Sequence, residues 1–321
     1  MSVVMDLVYL LVFPGFLFLF AAGLFAEYVD RKLYAKIQNR VGPPIVQPFA
    51  DFLKLLSKES IVPEAADRDV YVVAPLFGLA GVLTAILYVP VWSETAVFAF
   101  QGDLVVVLFL LALPSFALFF GGWHSRNRFS DVGTLRTLTQ LFGYEVPFFL
   151  ACLAPAMAAG SWEISTVMGT LSTNPVALVL LLPGFAVGLL SLQAKLERVP
   201  FDAPEAETEI AGGSLVEYSG RKLALFKLTK DMELVVGAAF LSALFLGGPY
   251  PLVGVAGAIG GFVAFAVKVL FVVVLLTVVK SAFARVRIEQ AVGVFYKWAV
   301  GIAIVQLLIV IAAATAGIGG L

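Results

Sequence analysis

Long apolar segments alternate with polar segments along the whole chain. Eight of the apolar segments contain about 20 mostly apolar residues each, the length that crosses about 30 Å of hydrocarbon. They cover residues 3–26, 70–91, 103–122, 140–159, 175–193, 224–247, 252–279 and 291–315. The pattern predicts an all-α integral membrane protein with eight transmembrane helices, forming a single polytopic membrane domain over residues 1–321.

Four polar connections separate these predicted spans on one side: residues 27–69, 123–139, 194–223 and 280–290. In the first, Gly42-Pro43-Pro44 breaks any helix. Apolar residues at near-helical spacing follow, with Gln47, Asp51 and Lys54 at other positions. This pattern predicts a short interfacial helix, which serves as a membrane-surface strut, a docking shelf for a cytoplasmic subunit, or both.

Composition and charge agree with a membrane location. The chain is 61% hydrophobic, 13% of its residues are charged, and its mean hydropathy is +1.00. Of its 21 Lys and Arg residues, 19 lie in the four connections or at their borders with the spans. By the positive-inside rule these connections face the cytoplasm and both termini lie outside the cell membrane. No Lys or Arg occurs in the first ten residues, so the first span is predicted to be retained.

Cysteine and histidine are scarce, since Cys152 and His124 are the only ones. The chain therefore cannot by itself ligate an iron–sulfur cluster, a zinc ion or a pair of haem axial positions. Any redox centre must belong to another polypeptide. No nucleotide-binding fingerprint occurs, and no nucleic-acid partner is predicted. The scarcity of Asn is a weak sign of a thermophilic source.

A polar island from Glu197 to Glu233 holds eight of the 22 acidic residues. Acids at a membrane boundary carry protons, bind cations or dock another subunit. The start of the island, Asp202-Ala203-Pro204-Glu205, fits the first turn of a helix capped by Asp202. Such a helix would place Glu205 and Glu209 on one face and Glu207 away from it. Repulsion would then raise the pKa of one carboxyl, which favours proton exchange, whereas a solvated acidic face is the alternative.

Three further ionisable positions lie at or inside the predicted spans. Glu145 occurs in GYEVPFF, where a charge at the membrane centre costs about 2.5–3.5 kcal/mol. It belongs to an ion path or pairs with Arg136 or another base. Lys268 lies near the middle of the seventh span and requires an acidic partner in this chain or in a neighbour. Asp30 precedes Arg31 at the end of the first span, where it either joins the same polar system or forms a boundary ion pair.

Four segments together resemble one protein family. They are DRKLYAKIQNRVGPPIVQPFADFLKLLSKE, SDVGTLRTLTQLFGYEVP, RVPFDAPEAETEI with EYSGRKLALFKL, and more weakly ARVRIEQAVGVFYKW. The chain resembles the membrane subunit of respiratory complex I that joins the peripheral arm to the membrane arm. QNRVGPPIVQP looks more like the subunit of energy-converting nickel–iron (NiFe) hydrogenases. In AKLER, Lys195 stands where the family acid falls, with Glu197 two residues later. The mixture is similar to archaeal membrane-bound hydrogenases and the related sulfane sulfur reductase.

The resemblance implies a ferredoxin-linked subunit that couples electron transfer to proton or sodium translocation. It implies no cofactor in this chain, and a NiFe or related centre and Fe–S clusters in its partners. Those partners are peripheral hydrogenase-like and Fe–S subunits on the cytoplasmic face, with antiporter-like and small membrane subunits in the bilayer.

The resemblance and the intramembrane charges together define two sets of candidate residues. The predicted proton or ion path contains Asp30, Glu145, Glu197, Asp202, Glu205, Glu207, Glu209, Glu217 and Lys268. The predicted structural or docking residues are Arg31, Arg198, Tyr218, Arg221, Gln47, Asp51 and Lys54.

Three other interpretations stay open at this point. The chain is a subunit of a proton-pumping NADH:quinone oxidoreductase, a stand-alone secondary ion transporter, or a purely structural anchor. Glu145, Lys268 and the Gly/Pro-broken spans are compatible with a transporter. A structural anchor would tolerate neutral substitutions of the acids in the polar island.

Overall fold

A computed structural model describes residues 3–316, and every regular element in that range is helical. The α-helices are α1 (Val3–Leu11), α2 (Phe16–Ile37), α3 (Gln47–Ser57), α4 (Arg68–Ala85), α5 (Asp103–Trp123), α6 (Arg128–Ala159), α7 (Ile164–Thr173), α8 (Pro175–Leu180), α9 (Leu182–Lys195), α10 (Glu207–Ile210), α11 (Gly220–Leu246), α12 (Leu252–Ala282), α13 (Ile288–Val294) and α14 (Val300–Thr315). Short 3₁₀ turns cover Ile86–Tyr88, Ala203–Glu205 and Gly213–Leu215, and a π-helical turn, Phe295–Ala299, joins α13 to α14.

Six helical segments in the described part of the chain are long and apolar enough to cross a membrane. They are Val4–Ile37, Arg68–Tyr88, Asp103–Trp123, Arg128–Ala159, Leu252–Ala282 and Ile288–Thr315. The other two predicted spans fall on α8–α9 and on α11. A break divides α8 from α9, and three charged residues lie close together near the middle of α11. These lengths and compositions fit a membrane protein with several apolar helices, whereas the multi-pass topology and the count of eight spans stay predictions.

All four predicted cytoplasmic loops are helical over part of their length, and the first two show the largest departures. The predicted loop 27–69 begins as helix, because α2 continues to Ile37. The prediction of a loop over residues 123–139 is wrong, because α6 begins at Arg128. Asn127 caps this helix, accepting a 2.8 Å hydrogen bond from the backbone N–H of Phe129. The polar ends of both helices extend beyond their apolar parts and carry charged side chains toward one end of the bundle.

The predicted first span is divided near its start. α1 ends at Leu11 and α2 begins at Phe16, with Pro14 between them. Proline lacks the N–H that would continue the helical hydrogen-bond pattern. The short helix predicted after Gly42-Pro43-Pro44 is confirmed as α3, which contacts α2 and α11.

Helix α11 lies at the centre of the bundle, where it contacts α2, α4, α7 and α12. Every residue from Met232 to Phe245 is buried. Gly23 of α2 makes a close approach possible, since a Cβ at this position would lie 3.1 Å from the carbonyl carbon of Asp231. The two helices therefore approach closely beside Asp231.

Candidate functional site

A polar cavity of about 500 Å³ lies at one end of the bundle, between α3 and the ends of α2, α11 and α12. Its charged lining comes from positions far apart in sequence: Glu27, Arg31, Asp51, Lys54, Lys58, Glu197, Arg198, Glu205, Lys227, Lys230, Asp231 and Lys280. The amphipathic helix α3 forms one wall. The fold thus collects basic and acidic side chains from several polar segments around one space.

Asp30 forms the first ion-pair cluster beside this cavity. Its side chain is fully buried, and its carboxylate lies 3.2 Å from Arg198 and 2.7 Å from Lys280. Thr277 donates a further hydrogen bond of 2.9 Å to the same carboxylate. The boundary pair between Asp30 and Arg31 does not form. Asp30 belongs instead to a buried cluster that joins α2, α12 and the loop after α9.

Arg31 connects that cluster to the surface helix. It pairs with Glu27 at 2.6 Å and with Asp51 of α3 at 2.8 Å. Glu27 also accepts a hydrogen bond of 3.0 Å from Arg198. Burial opposes ionisation of Asp51, but hydrogen bonds from Arg31 and Gln47 outweigh it and lower the pKa of this carboxyl. Asp51, a predicted docking residue, therefore attaches α3 to α2 through Arg31, and Gln47 holds the Asp51 carboxylate by a 2.9 Å hydrogen bond within α3.

A second cluster is centred on Lys230 of α11. Its ammonium lies 2.6 Å from the Glu197 carboxylate and also contacts the Glu205 carboxylate. Burial raises the pKa of Glu197; Lys230 opposes this rise, and the nearby charge of Glu205 adds to it. Glu197 has φ of 51°, a left-handed conformation that is uncommon for a residue with a side chain. Two predicted path acids therefore share one base.

The third cluster is an ion pair within the bundle. The ammonium of Lys195 lies 3.0 Å from the Glu145 carboxylate and donates to the carbonyl of Leu111 at 3.3 Å. The Lys195 side chain is fully buried, and its ammonium lies 5.1 Å from the centroid of the Tyr144 ring. The base that pairs with Glu145 is therefore Lys195 and not Arg136, the base named as a candidate from the sequence. Arg136 instead pairs with Glu209 at 2.6 Å.

Glu233 links the second and third clusters, although the sequence pattern did not identify it as a site residue. It lies one helical turn beyond Lys230 on α11 and is 2% exposed. It is within electrostatic reach of both Lys195 and Lys230. Among the described residues, no group hydrogen-bonds to its Oε1 atom. The three-residue spacing from Lys230, which places both on one helix face, is the sequence signal that could have identified it.

The predicted acidic helix after Asp202 is wrong. A 3₁₀ turn covers Ala203–Glu205, and α10 contains only four residues before Ala211 turns left-handed. Asp202 caps no helix and pairs with Arg285 at 2.5 Å.

Tertiary contacts explain why the longer helix does not form. Gln140 of α6 donates hydrogen bonds to the carbonyls of Phe201, at 2.7 Å, and Ala194, at 2.8 Å, and thereby fixes the loop. As a result, Glu205 points to Lys230 while Glu209 points to Arg136, and the two acids do not share a helix face.

Five further predicted site residues belong to none of the three clusters. Glu207 and Arg221 are exposed. Glu217 accepts a hydrogen bond from Asn127, and the Tyr218 ring stacks on Tyr71 with centroids 4.2 Å apart. Burial raises the pKa of Tyr218 above its ordinary value. Glu217 and Tyr218 attach the loop to α4 and α6 rather than line the cavity. Lys54 is exposed at the rim of the cavity.

Lys268 of α12 has a different environment from the one predicted. Its ammonium donates to the carbonyls of Leu246, at 2.6 Å, and Gly248, at 2.8 Å, and also to that of Tyr250. Within the described residues these carbonyls take the place of the predicted carboxylate. Their position at the C-terminal end of α11 is where a helix dipole favours a cation.

Across residues 3–316, no group of three or more His, Cys, Asp or Glu side chains is arranged to hold a metal ion. Among the cavity carboxylates, Glu27, Asp51, Glu197 and Glu205 instead pair with Lys or Arg. What these groups can do chemically is exchange protons and change the charge of their neighbours.

Comparison with known proteins adds to this geometry. A family model described as NADH dehydrogenase matches residues 8–311. The H subunit of the NADH-quinone oxidoreductase of Carboxydothermus hydrogenoformans is 32% identical over 299 residues, covering 91% of this chain and 85% of that protein. The corresponding protein of Geobacillus kaustophilus is 34% identical, covering 89% of this chain and 87% of the relative.

A solved structure is also similar. A chain in the structure of the membrane-bound sulfane sulfur reductase, an archaeal respiratory membrane complex, superposes with a TM-score of 0.83 at 27% identity. The match covers 92% of this chain and 96% of that chain.

Proposed function

Because the chain belongs to the NADH dehydrogenase family, we propose that it is the membrane subunit of an ion-translocating respiratory complex. In that complex it anchors a peripheral redox arm and couples electron transfer to ion movement. The similarity to a chain of a sulfane sulfur reductase complex supports an assembly of this kind. The chain is a subunit of an oxidoreductase complex, and the redox centres belong to its partners.

The observation that carries this proposal is the series of charged groups from the cavity into the bundle. Lys230 binds Glu197 and Glu205 at the cavity, Glu233 lies one turn deeper, and Glu145 pairs with Lys195 beyond it. Charges interact more strongly in a low-dielectric interior than in water. A proton taken up at the cavity therefore changes the proton affinity of the next group in the series.

Because Glu197 and Glu205 share Lys230, a change in protonation at the cavity can start the response of the charged series. When Glu197 takes up a proton, Lys230 interacts with Glu205 alone. When Glu197 loses the proton, the two carboxylates compete again for one ammonium. The cavity end of the network thus responds to protonation in the peripheral arm.

The proposed orientation and partners follow from the charge distribution and the comparison. The cavity faces the cytoplasm, both termini lie outside, and ferredoxin supplies electrons to peripheral hydrogenase-like and Fe–S subunits. Exposed Lys54, Lys58 and Lys227 surround the cavity mouth and favour the docking of such a subunit through an acidic surface. Protons or a sulfur compound are the acceptor, and H⁺ or Na⁺ is the ion moved.

Purification from the native membrane in mild detergent tests the assembly and its chemistry. Iron with stoichiometric nickel in the companion subunits would identify a hydrogenase. Iron without nickel would identify a sulfur-reducing or quinone-reducing complex. A chain that purifies alone and free of metal would reject the proposal and favour a secondary transporter.

A substitution pair tests the coupling role in the assembled complex. Glu197→Gln should lower the number of ions moved per electron while electron transfer continues. Glu207→Gln is the matched control, because Glu207 is an exposed acid of the same loop. Equal ion-to-electron ratios for both variants and the unmodified complex would remove Glu197 from the path.

A second candidate is a subunit of a proton-pumping NADH:quinone oxidoreductase. The curated relatives at 32% and 34% identity carry that name and favour it. The purified complex distinguishes the two candidates by its substrates. NADH oxidation with a quinone would select the second, and oxidation of reduced ferredoxin with polysulfide or protons would select the first.

A further inference from the structure

A groove of about 610 Å³ on the outside of the bundle is separate from the polar cavity, with which it shares no lining residue. It lies between the α8–α9 segment and α14, and it includes the π-helical turn Phe295–Ala299. Its walls are largely apolar, with Val179, Pro183 and Ile309 among them. Two polar side chains interrupt these walls, and neither belongs to the network described above.

The first polar group is Lys297, in the π-helical turn. It is exposed on the groove side of a segment that is long and apolar enough to span the membrane. Across residues 3–316, none of the ion pairs or hydrogen bonds includes its ammonium. A charged side chain in a membrane span pairs with another group or faces water or protein. A π turn is a frequent feature of functional sites.

The second polar group is Gln306, two to three turns further along α14. It is 2% exposed, and neither its Oε1 nor its Nε2 atom has a hydrogen-bond partner in the described part of the chain. Gly184 of α9 leaves room for this amide, since a Cβ at Gly184 would lie 2.3 Å from Oε1. A buried amide without a partner is destabilising, and more so beside lipid than beside water.

We propose that this groove is the docking site for one transmembrane helix of a neighbouring membrane subunit in the same complex. That helix carries a carboxylate that pairs with Lys297 and a hydrogen-bonding side chain that reaches Gln306. The inference rests on the proposed function, because it requires a complex that contains other membrane subunits.

The spacing of the two polar groups favours a transmembrane helix, rather than a phospholipid, as the occupant of the groove. Lys297 and Gln306 are nine residues apart, which corresponds to about 13 Å along the helix axis. An anionic headgroup at Lys297 would leave only acyl chains against Gln306. A helix lying along the groove presents polar side chains at both depths. Gly301, between them, leaves the groove open, since a Cβ at this position would have no atom within 4 Å, and small residues favour close helix packing.

Photo-crosslinking in the assembled complex tests this docking. A photoreactive amino acid replaces Trp298, which lines the groove and is 68% exposed. The matched control replaces Ile304, which is on the same helix and 45% exposed but does not line the groove. We expect the position 298 probe to form an adduct with one membrane subunit, at a peptide that contains Asp or Glu. The position 304 probe should not label that peptide.

Charge reversal identifies the contact. Lys297→Glu should reduce the position 298 adduct at least about tenfold, which corresponds to about 1.4 kcal/mol, and release that subunit during purification. Lys297→Arg should retain it, and replacing the labelled carboxylate with lysine should restore the adduct in Lys297→Glu. Phospholipid as the only adduct, or an unchanged adduct in both Lys297→Glu and Gln306→Leu, would overturn the docking proposal.

The same preparation separates this proposal from the one on which it rests. Lipid adducts in a complex that still couples electron transfer to ion movement overturn the docking site alone. A wild-type chain that purifies without any other membrane subunit overturns both.

Discussion

Two lysines in or beside α11 are held in different environments. At the N-terminal half, Lys230 binds the carboxylates of Glu197 and Glu205. Beyond the C-terminal end, Lys268 of α12 binds backbone carbonyls, among them that of Leu246. Carboxylates take up and release protons near neutral pH when their environment shifts their pKa, whereas backbone carbonyls keep a fixed dipole. A buried lysine therefore indicates an ion path only when its partners can change charge.

The comparison divides the residues predicted for the path. Glu197 and Glu205 pair with Lys230 at the cavity, and Glu145 pairs with Lys195 within the bundle. Lys268 donates to backbone carbonyls, which do not titrate, and it stabilises the C-terminal end of α11. The substitutions below test this division, ordered by the size of the expected effect.

Lys230→Met should have the largest effect. It leaves two carboxylates beside a buried cavity without their shared base, and breaking a buried ion pair in this way costs about 3–5 kcal/mol. Thermal unfolding of the purified complex measures the loss, and ion transport per electron should fall with it. Lys230→Arg is the control and should retain most of both. If Lys230→Met were as stable as the wild type, the Lys230 cluster would not hold the loop in place.

Lys195→Met should have the next largest effect. It leaves Glu145 without its base, and because that carboxylate is partly exposed we expect a loss of about 1.5–3 kcal/mol. The double variant Lys195→Met with Glu145→Gln should recover much of this stability, since no unpaired charge remains. Ion transport per electron should stay low in both variants. Transport equal to that of the unmodified complex in Glu145→Gln would exclude Glu145 from the path.

Lys268→Met should reduce stability by about 1–2 kcal/mol, because lost hydrogen bonds are partly offset by removal of a buried charge. The complex that assembles should move the same number of ions per electron as the wild type. This variant is measured beside Lys195→Met in the same vesicles. A fall in ion transport per electron for Lys268→Met would contradict the distinction between lysines bound by carboxylates and a lysine bound by backbone carbonyls.

The pH dependence of Glu197 should give the smallest effect. Burial raises the pKa of this carboxyl, so the folded protein holds its proton more tightly than the unfolded chain. Its contribution to stability is therefore present below the ordinary carboxyl pKa and is lost as pH rises through the raised value. Unfolding temperatures between about pH 5 and about pH 8 should fall less steeply in Glu197→Gln than in the wild type. Parallel curves would contradict the raised pKa.

The sequence could predict the membrane class, the surface helix α3 and most of the acids of the site, because these depend on local patterns. It could not predict their partners. Asp30 and Lys280 are 250 residues apart, and Glu145 and Lys195 are 50 residues apart. Such pairs depend on how the helices pack, and that packing cannot be deduced from local sequence patterns.

Local rules were misleading where tertiary contacts decide the structure. The segment 128–139 contains Ser, Thr, Gly and Asp, which are typical of loops, yet it is the first part of α6. Its small residues allow close packing, since a Cβ at Gly133 would lie 2.5 Å from the backbone nitrogen of Ser214. The acidic segment after Asp202 shows the reverse, because its helix-start signal does not lead to a long helix.

The continuity of α6 has a mechanical consequence. Its 32 residues correspond to about 48 Å, well beyond the thickness of the hydrocarbon. Arg136 and Gln140 contact the acidic loop, and Glu145 follows on the same helix, which continues through Pro147. A partner subunit that displaces the acidic loop would therefore shift or rotate α6 and change the distance between Glu145 and Lys195. A movement of the loop, as well as a change in its charge, can therefore be transmitted through α6 from the cavity into the membrane.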